Sequence, residues 1–490
     1  MPTQCKLRHL GGSSDTSSLP ISDATLAALA AHGAQLVTLS VGGAARVTSV
    51  LPVAATLRKI DVSGSRCGAD DAGLASATRV RVFDASHNPK IRTVAPFVAS
   101  LRELKACGDC GIDDAGLSLA TRLRLFAASD NSKIRTVAPF AATLRVLEAF
   151  DSRGGIDDAG LECATRIEVL NVSDNRNIRT VAPFAASLRE LLASGSCGIG
   201  DAGLAGAMRI RVLDASYNGR ISTVEPFARS LRKLEASFGN GIGDAALVRA
   251  TRIQDLDASG NPSIRTVAPF AASLRRLCAS FDCGIDDAGL AEATHIEKLD
   301  AAHNAKIRTV APFAAALREL EALGDCGIDD VGLSQATRIE ELDASYNPKI
   351  RTVAPFAASL RTLFARSSSG IGDEGLVRAT RIELLDARGN PAIRTVTPFA
   401  TSLRFLTASE SCGIDDDGLA QATRIEGLFV SGNPKISTVA PFAKSLRRLD
   451  ASEDCGIDEA GLAQATWIEE ILSSGNGKIS AGARASVLVP

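Results

Sequence analysis

Leu317–Ser359 reads LRELEALGDCGIDDVGLSQATR followed by IEELDASYNPKIRTVAPFAAS, 43 residues whose variants fill nearly all the rest of the chain. The marker I-[RS]-T-V-x-P-F begins at Ile91, Ile134, Ile178, Ile221, Ile264, Ile307, Ile350, Ile393 and Ile436, in steps of 43 except for one of 44 after Ile134. A worn copy begins at Val47 and a truncated one at Ile479. A fixed period in this range marks a repeat array, in which each unit buries its apolar side only against its neighbours.

The unit splits into halves of 22 and 21 residues, and both open L/I-x-x-L-x-A-S-x-x-x-x-I, as in IEELDASYNPKI from Ile339 and, with Leu323 in place of the Ser, LRELEALGDCGI from Leu317. On these residues the sequence resembles the leucine-rich repeat superfamily, whose unit is LxxLxLxxN or LxxLxLxxC plus a variable back segment. The first half, with CGIDDAGL, is similar to the cysteine-containing subtype. The second, with NPKIRTVAPF, is similar to the subtype whose back segment reads I-x-D-[IV]-x-P-L. The phrasing also resembles the arrays of trypanosomatid leucine-rich repeat proteins. The resemblance covers roughly Leu7 to Ile479 and recurs about twenty times. It implies an α/β solenoid, a horseshoe with a concave parallel β-sheet and short helices or 3-10 turns on the convex side. One departure bears on curvature: the third inward position is usually Ala rather than Leu.

A chain of 490 residues ordinarily suggests several globular domains, but a solenoid grows in one dimension without splitting its core. Hydrophobic content is 45% with Trp, Tyr and Met together only five, so the core is built from Ala, Leu, Ile, Val and Phe. A net charge of −2 argues against general binding to nucleic acid or anionic membrane. No apolar run approaches a membrane span, and MPTQCKLRHL lacks the apolar region of a signal peptide. Seven of the eleven cysteines (Cys67, Cys110, Cys197, Cys283, Cys326, Cys412, Cys455) share one column of the first half-repeat. Alternate coils lie about 10 Å apart, whereas a disulfide needs Cα atoms within about 7 Å, so these thiols cannot pair along the column. Unpaired thiols fit a reducing compartment. The expectation is a soluble intracellular protein, cytoplasmic or nuclear.

In chain order, residues 1–35 are expected to form the starting cap, with ISDATLAALAAHGAQ from Ile21 as an amphipathic segment capped by Ser22 or Asp23. Residues 36–479 form the array, and the tail 480–490 is apolar enough to fold over the last coil. Trp467, at the usual Arg of the T-R step, reads as cap packing. Each half-repeat predicts a strand at its positions three to five, with positions one, four and six inward and two, three and five toward solvent. Asn at position nine of every regular second half, Asn88 to Asn476, predicts a buried ladder bonded to turn backbone. DDAGLAQA predicts an Asp-capped short helix, and TVAPFAAS a Thr-capped turn with Pro in the first turn. Its Phe forms a spine from Phe97 through Phe313 to Phe442 that fills volume left by the small Ala.

Nothing in the chain reads as a reaction centre. The Asp pairs (Asp113/Asp114, Asp286/Asp287, Asp329/Asp330) resemble paired carboxylates but recur at helix starts, where capping explains them. Cys107 and Cys110 form a lone CxxC, and the five histidines show no metal spacing. No HExxH, P-loop, dinucleotide fingerprint or GxSxG elbow occurs, so neither an enzyme nor a cofactor is expected.

Function is sought where copies depart from their own consensus at solvent-facing positions. Position two alternates Arg and Glu from Arg275 to Glu469, a self-neutralising stripe. Over Arg58, Arg81, Arg102, Arg124 and Arg145 it is uncompensated and suits an acidic partner or phosphate, with nucleic acid the weaker option because no aromatics interleave. Position five carries Asp214, Glu235, Asp257, Asp300, Glu321, Asp343 and Asp386, either a solvated face or an electrostatic guide for a basic segment. Tyr217, Phe238, Phe281 and Tyr346 sit at position eight, a rim after the strand, beside His303. Phe364, Leu384, Phe405 and Phe429 occupy positions three or five on four neighbouring coils and predict one apolar patch.

The reading is a non-enzymatic solenoid of about 22 coils that holds a protein partner on its concave face and adjacent rim, the partner bearing a basic segment next to an apolar anchor. No membrane or small-molecule substrate is expected. The alternatives are an assembly scaffold in a larger complex and a substrate receptor of a ubiquitin ligase. The latter rests on the resemblance of the cysteine-containing repeats, and no F-box-like helix set is evident before Leu36.

Overall fold

The inward residues at positions four and six of each half-repeat, such as Leu320 and Ala322, lie two apart, the spacing at which an extended backbone points both side chains to one face. A computed structural model describes residues 7–11, 21–151, 155–239 and 241–480. The chain falls into two compact units, Met1–Ala250 and Thr251–Pro490. Among the described residues the first holds strands from His9–Leu10 to Lys233–Glu235 and the second strands from Asp255–Asp257 to Glu470–Leu472. Within each unit the strands pair parallel, each with the next, in one open sheet. Register is one to one: Leu320 faces Leu342, which faces Leu363. The strand positions are those expected, since Glu319–Glu321 spans positions three to five of the coil that starts at Leu317. This is an α/β solenoid of short parallel strands and short back-segment helices.

Burial follows the same columns. Leu317, Leu320 and Ala322 are closed to solvent, and so are the spine phenylalanines, which pack edge-on to Phe83 and Phe126 where those replace the inward Leu. The Asn ladder is a cross-coil brace. Asn347 Nδ2 donates to Ala322 O (2.8 Å) and Ile328 O (3.3 Å) of the preceding coil, while its Oδ1 accepts from Lys349 N (3.0 Å). The lysine two residues on adds a third tie, its Nζ donating to the carbonyl of Cys326 (3.0 Å). The seven column cysteines are buried with free thiols. Burial raises their pKa, to about 11 for Cys110, Cys197, Cys283, Cys326 and Cys412.

Two expectations about the back segments need correction. The Asp pair divides its work: Asp329 Oδ1 accepts from Gly332 N (2.9 Å) and caps its own turn, while Asp330 Oδ1 accepts from Arg351 N (2.8 Å) and Thr352 N (3.1 Å) of the next coil. The second carboxylate is thus a clamp between coils. In TVAPF the cap position is Val, not Thr, and the turn is a 3-10 helix such as Ala354–Phe356. Thr352 Oγ1 accepts from Ala354 N (3.1 Å), so it satisfies the first helical N–H from one residue further out.

At the start of the chain Ser22 caps the helix Asp23–Ala31 in a capping box with Thr25. The tail 481–490, expected over the last coil, lies outside the described residues, as does Cys5. Trp467 is 54% exposed, with the Arg447 guanidinium 5.9 Å from its ring centroid. No helix among the described residues is long and apolar enough to cross a membrane.

Candidate protein-binding site

Strand positions two, three and five make three columns on the outer face of each sheet. In the second unit column two neutralises itself: Arg275–Glu297 (3.7 Å), Arg404–Glu426 (2.6 Å) and Arg447–Glu469 (3.8 Å) pair across coils, as do Arg318–Glu340 and Arg361–Glu383. In the first unit the same column reads Arg58, Arg81, Arg102, Arg124, Arg145, Glu168, Arg189, Arg211, Arg232, so the line continues past the five arginines singled out from sequence. Arg145 pairs with Glu168 (3.3 Å).

Column five of the second unit is acidic: Asp257, Cys278, Asp300, Glu321 and Asp343 are successive partners. Burial and crowding raise the proton affinity of Asp300 and Cys278. Burial, with Glu321 and Asp257, raises the Asp300 carboxyl, and burial among Asp257, Asp300 and Glu321 pushes the Cys278 thiol up to about 12. The aspartates also hold the turn that follows, since Asp257, Asp300 and Asp343 each accept from the backbone N–H two residues on at 2.9 Å. Asp214 does the same in the first unit, beside Glu235. Asp386 differs from its sequence reading. It is 4% exposed and held by Arg366 Nε at 2.8 Å, so it offers no free charge to solvent.

The four apolar residues of the sheet face are half-buried and fall into two groups. Phe364 stands between Asp343 and Asp386 with the Arg366 guanidinium 5.0 Å from its ring centroid, a charged setting rather than an apolar patch. Leu384 is the direct partner of Phe405, and Phe405 of Gly427. A Cβ placed on Gly427 would lie 2.8 Å from Phe405 Cδ1 and 3.4 Å from Phe429 Cε2. The two rings therefore converge over the one glycine among the described strands, and Arg448 lies 5.3 Å above Phe405. Beside this nest a groove of about 480 Å³ is lined by Phe429, Thr407, Ser409 and Ser431 together with Arg388, Glu410, Asp450 and Glu453. Three carboxylates against one guanidinium leave its lining net negative beside an aromatic ring.

The rim residues share a backbone feature that composition does not reveal. Position eight is left-handed in coil after coil: Tyr217 (φ 60°), Phe238 (41°), Phe281 (58°), His303 (57°) and Tyr346 (59°) stand where other coils place glycine. Tyr217 stacks on Phe238 (centroids 5.3 Å) in the first unit and Phe281 on His303 (5.6 Å) in the second. Tyr217, Phe281 and Tyr346 are 62%, 49% and 52% exposed.

Sequence reasoning missed Gly427, Arg366, Arg448 and the rim carboxylates Glu410 and Glu453. A glycine inside a strand was the available signal for the first. No group of three or more His, Cys, Asp or Glu able to hold a metal occurs among the described residues.

No protein-family model and no curated protein sequence matches the chain. Among solved structures it is similar to an internalin from Listeria monocytogenes (18% identity, 67% of this chain and 80% of that one, TM-score 0.34). It is also similar to the functional domain of InlJ from Listeria monocytogenes, which includes a cysteine ladder (16%, 73% and 69%, 0.39). A third is TLR13 in complex with ssRNA13 (15%, 96% and 62%, 0.41).

Proposed function

We propose that this solenoid is a non-enzymatic protein-binding module, and that its second unit takes a partner segment carrying a basic residue beside an apolar anchor. The observation that carries this reading is the convergence of Phe405 and Phe429 over Gly427 next to a groove bounded by Glu410, Asp450 and Glu453. Aromatic side chains on a sheet face lower solubility unless something covers them, and such residues are the usual energetic centre of an interface. The carboxylates of column five and the groove steer a cation toward that centre. Tyr346 and Phe281 extend the contact along the rim.

A random peptide library panned against the whole chain tests this. Recovered peptides should combine Lys or Arg with an aromatic or large aliphatic residue. Phe405→Ser with Phe429→Ser should weaken the best of them at least tenfold, roughly 1.4 kcal/mol, with an unchanged circular dichroism spectrum. Phe364→Ser, which removes a ring already covered by Arg366, should do less. Peptides without that combination, or a folded double variant that binds them unchanged, would defeat the reading.

A further inference from the structure

The outer face of the first unit carries a second and opposite surface. Arg58, Arg81, Arg102 and Arg124 follow one another on adjacent coils, the backbone N–H of each of the last three donating to the carbonyl of the previous arginine at 2.7–2.8 Å. Among the described residues no carboxylate lies within ion-pair distance of these four. Arg58 and Arg102 turn a guanidinium N–H back to carbonyls at their own coil starts, while Arg81 and Arg124 are exposed. Burial and the charges of Arg122, Arg124 and Arg81 lower the pKa of Arg102.

The second unit shows that this crowding is not a requirement of the fold. There the same column alternates Arg with Glu and pairs them, so like charge along the first unit is a departure that repels itself until an anion arrives. A groove of about 820 Å³ is lined by Arg81, Arg102 and Arg124 and by column three, where half-buried Val82, Leu125 and Val146 flank a single exposed acid, Glu103. Aliphatic neighbours rather than aromatic ones favour a peptide over single-stranded nucleic acid, whose bases need π-faces to stack on. Flexible arginine stems about 5 Å apart reach the carboxylates of an extended chain, which stand roughly 7 Å apart on one face.

From this charge complementarity we infer that the arginine column and the aliphatic row beside it bind an extended acidic segment of a partner protein. Its carboxylates lie on Arg81, Arg102 and Arg124, and its small apolar side chains over Val82, Leu125 and Val146. The surface is separate from the aromatic nest, and neither reading depends on the other.

The test titrates the full chain with a fluorescent peptide of alternating Glu and Val, its Gln–Val and Lys–Val counterparts, and a single-stranded RNA of equal charge. Saturable binding of Glu–Val alone is expected, weakening as salt screens it. Arg81→Glu with Arg124→Glu, which reproduces the alternating column of the second unit, should reduce it at least tenfold without creating binding to Lys–Val, in a protein that is no less stable to heat. The same variant should retain every peptide that depends on Phe405 and Phe429, so the two sites fail independently. No saturable Glu–Val binding, equal binding of Gln–Val, tighter binding of the RNA, or indifference to charge reversal would each overturn the inference.

Discussion

Tyr346 sits at φ 59°, in a region that costs an L-residue roughly 1–2 kcal/mol, while Gly324 fills the same position one coil before it and Gly389 two coils after. Glycine is the residue this turn prefers, so an exposed tyrosine there is kept at some expense to stability. Tyr346→Gly is therefore expected to leave the unfolding free energy unchanged or raise it by up to about 1 kcal/mol, part of the relief being offset by glycine's extra chain entropy. The same variant should weaken partner binding; a loss of stability measured by urea unfolding would contradict the strain argument. Asp300 makes the complementary case. Its raised pKa means that the folded state holds a proton more tightly than the unfolded one, so its repulsion is absent at pH below the ordinary carboxylate value and grows as pH rises through the folded pKa. Asp300→Asn keeps an oxygen for Ala302 N and removes the repulsion from Asp257 and Glu321. It should stabilise the protein at pH 7 by a few tenths to about 1 kcal/mol and give no gain at pH 3, which thermal unfolding at the two pH values decides. The sequence displayed the aromatic and acidic columns but not these energetics, because backbone sign and carboxylate crowding depend on how coils stack.

Position within a half-repeat was enough to place the strands, because alternation of Leu with polar residues has one extended solution. It was less informative for the back segments, where the elements are only three or four residues long and inter-coil bonds decide their ends. Thr352 illustrates this: a residue type suited to capping sits one place too early, and the 3-10 turn takes its hydroxyl anyway. The Asn ladder was legible as buried and polar, while its reach into the preceding coil was visible only in three dimensions. Asn304 bonds Ala279 O (2.7 Å), Ile285 O (3.3 Å) and Lys306 N (3.0 Å), so Asn304→Ala strands buried groups on two coils. An expected loss of about 1–3 kcal/mol follows for each group left unsatisfied. Phe313→Ala should cost about 3–5 kcal/mol through the cavity it opens. Chemical unfolding checks both, and a substitution of either kind that left stability untouched would remove the residue from the frame.

At the scale of the molecule, the repeat separates columns that carry the fold from columns that meet solvent, and the cysteines report on that separation. Those of the first-half column are closed in every described coil where they occur, and burial raises their thiols well above the usual range. Cys278 lies on the sheet face but is raised further, among acidic neighbours, while Cys163 is exposed on a back segment. Reactivity requires the thiolate, so accessibility and charge should rank the thiols in the same order. Among the described cysteines, a thiol reagent at pH 8 is expected to modify Cys163 first in the native protein and to leave the buried column unreacted. After denaturation all eleven cysteines should titrate, because the repeat spacing keeps the column thiols too far apart to bridge. Fewer than eleven would mean that disulfides had formed. Rapid native modification of Cys326 or Cys412, located by peptide mapping, would mean that the coils open readily, and the division between core and surface columns on which both proposed binding surfaces rest would have to be redrawn.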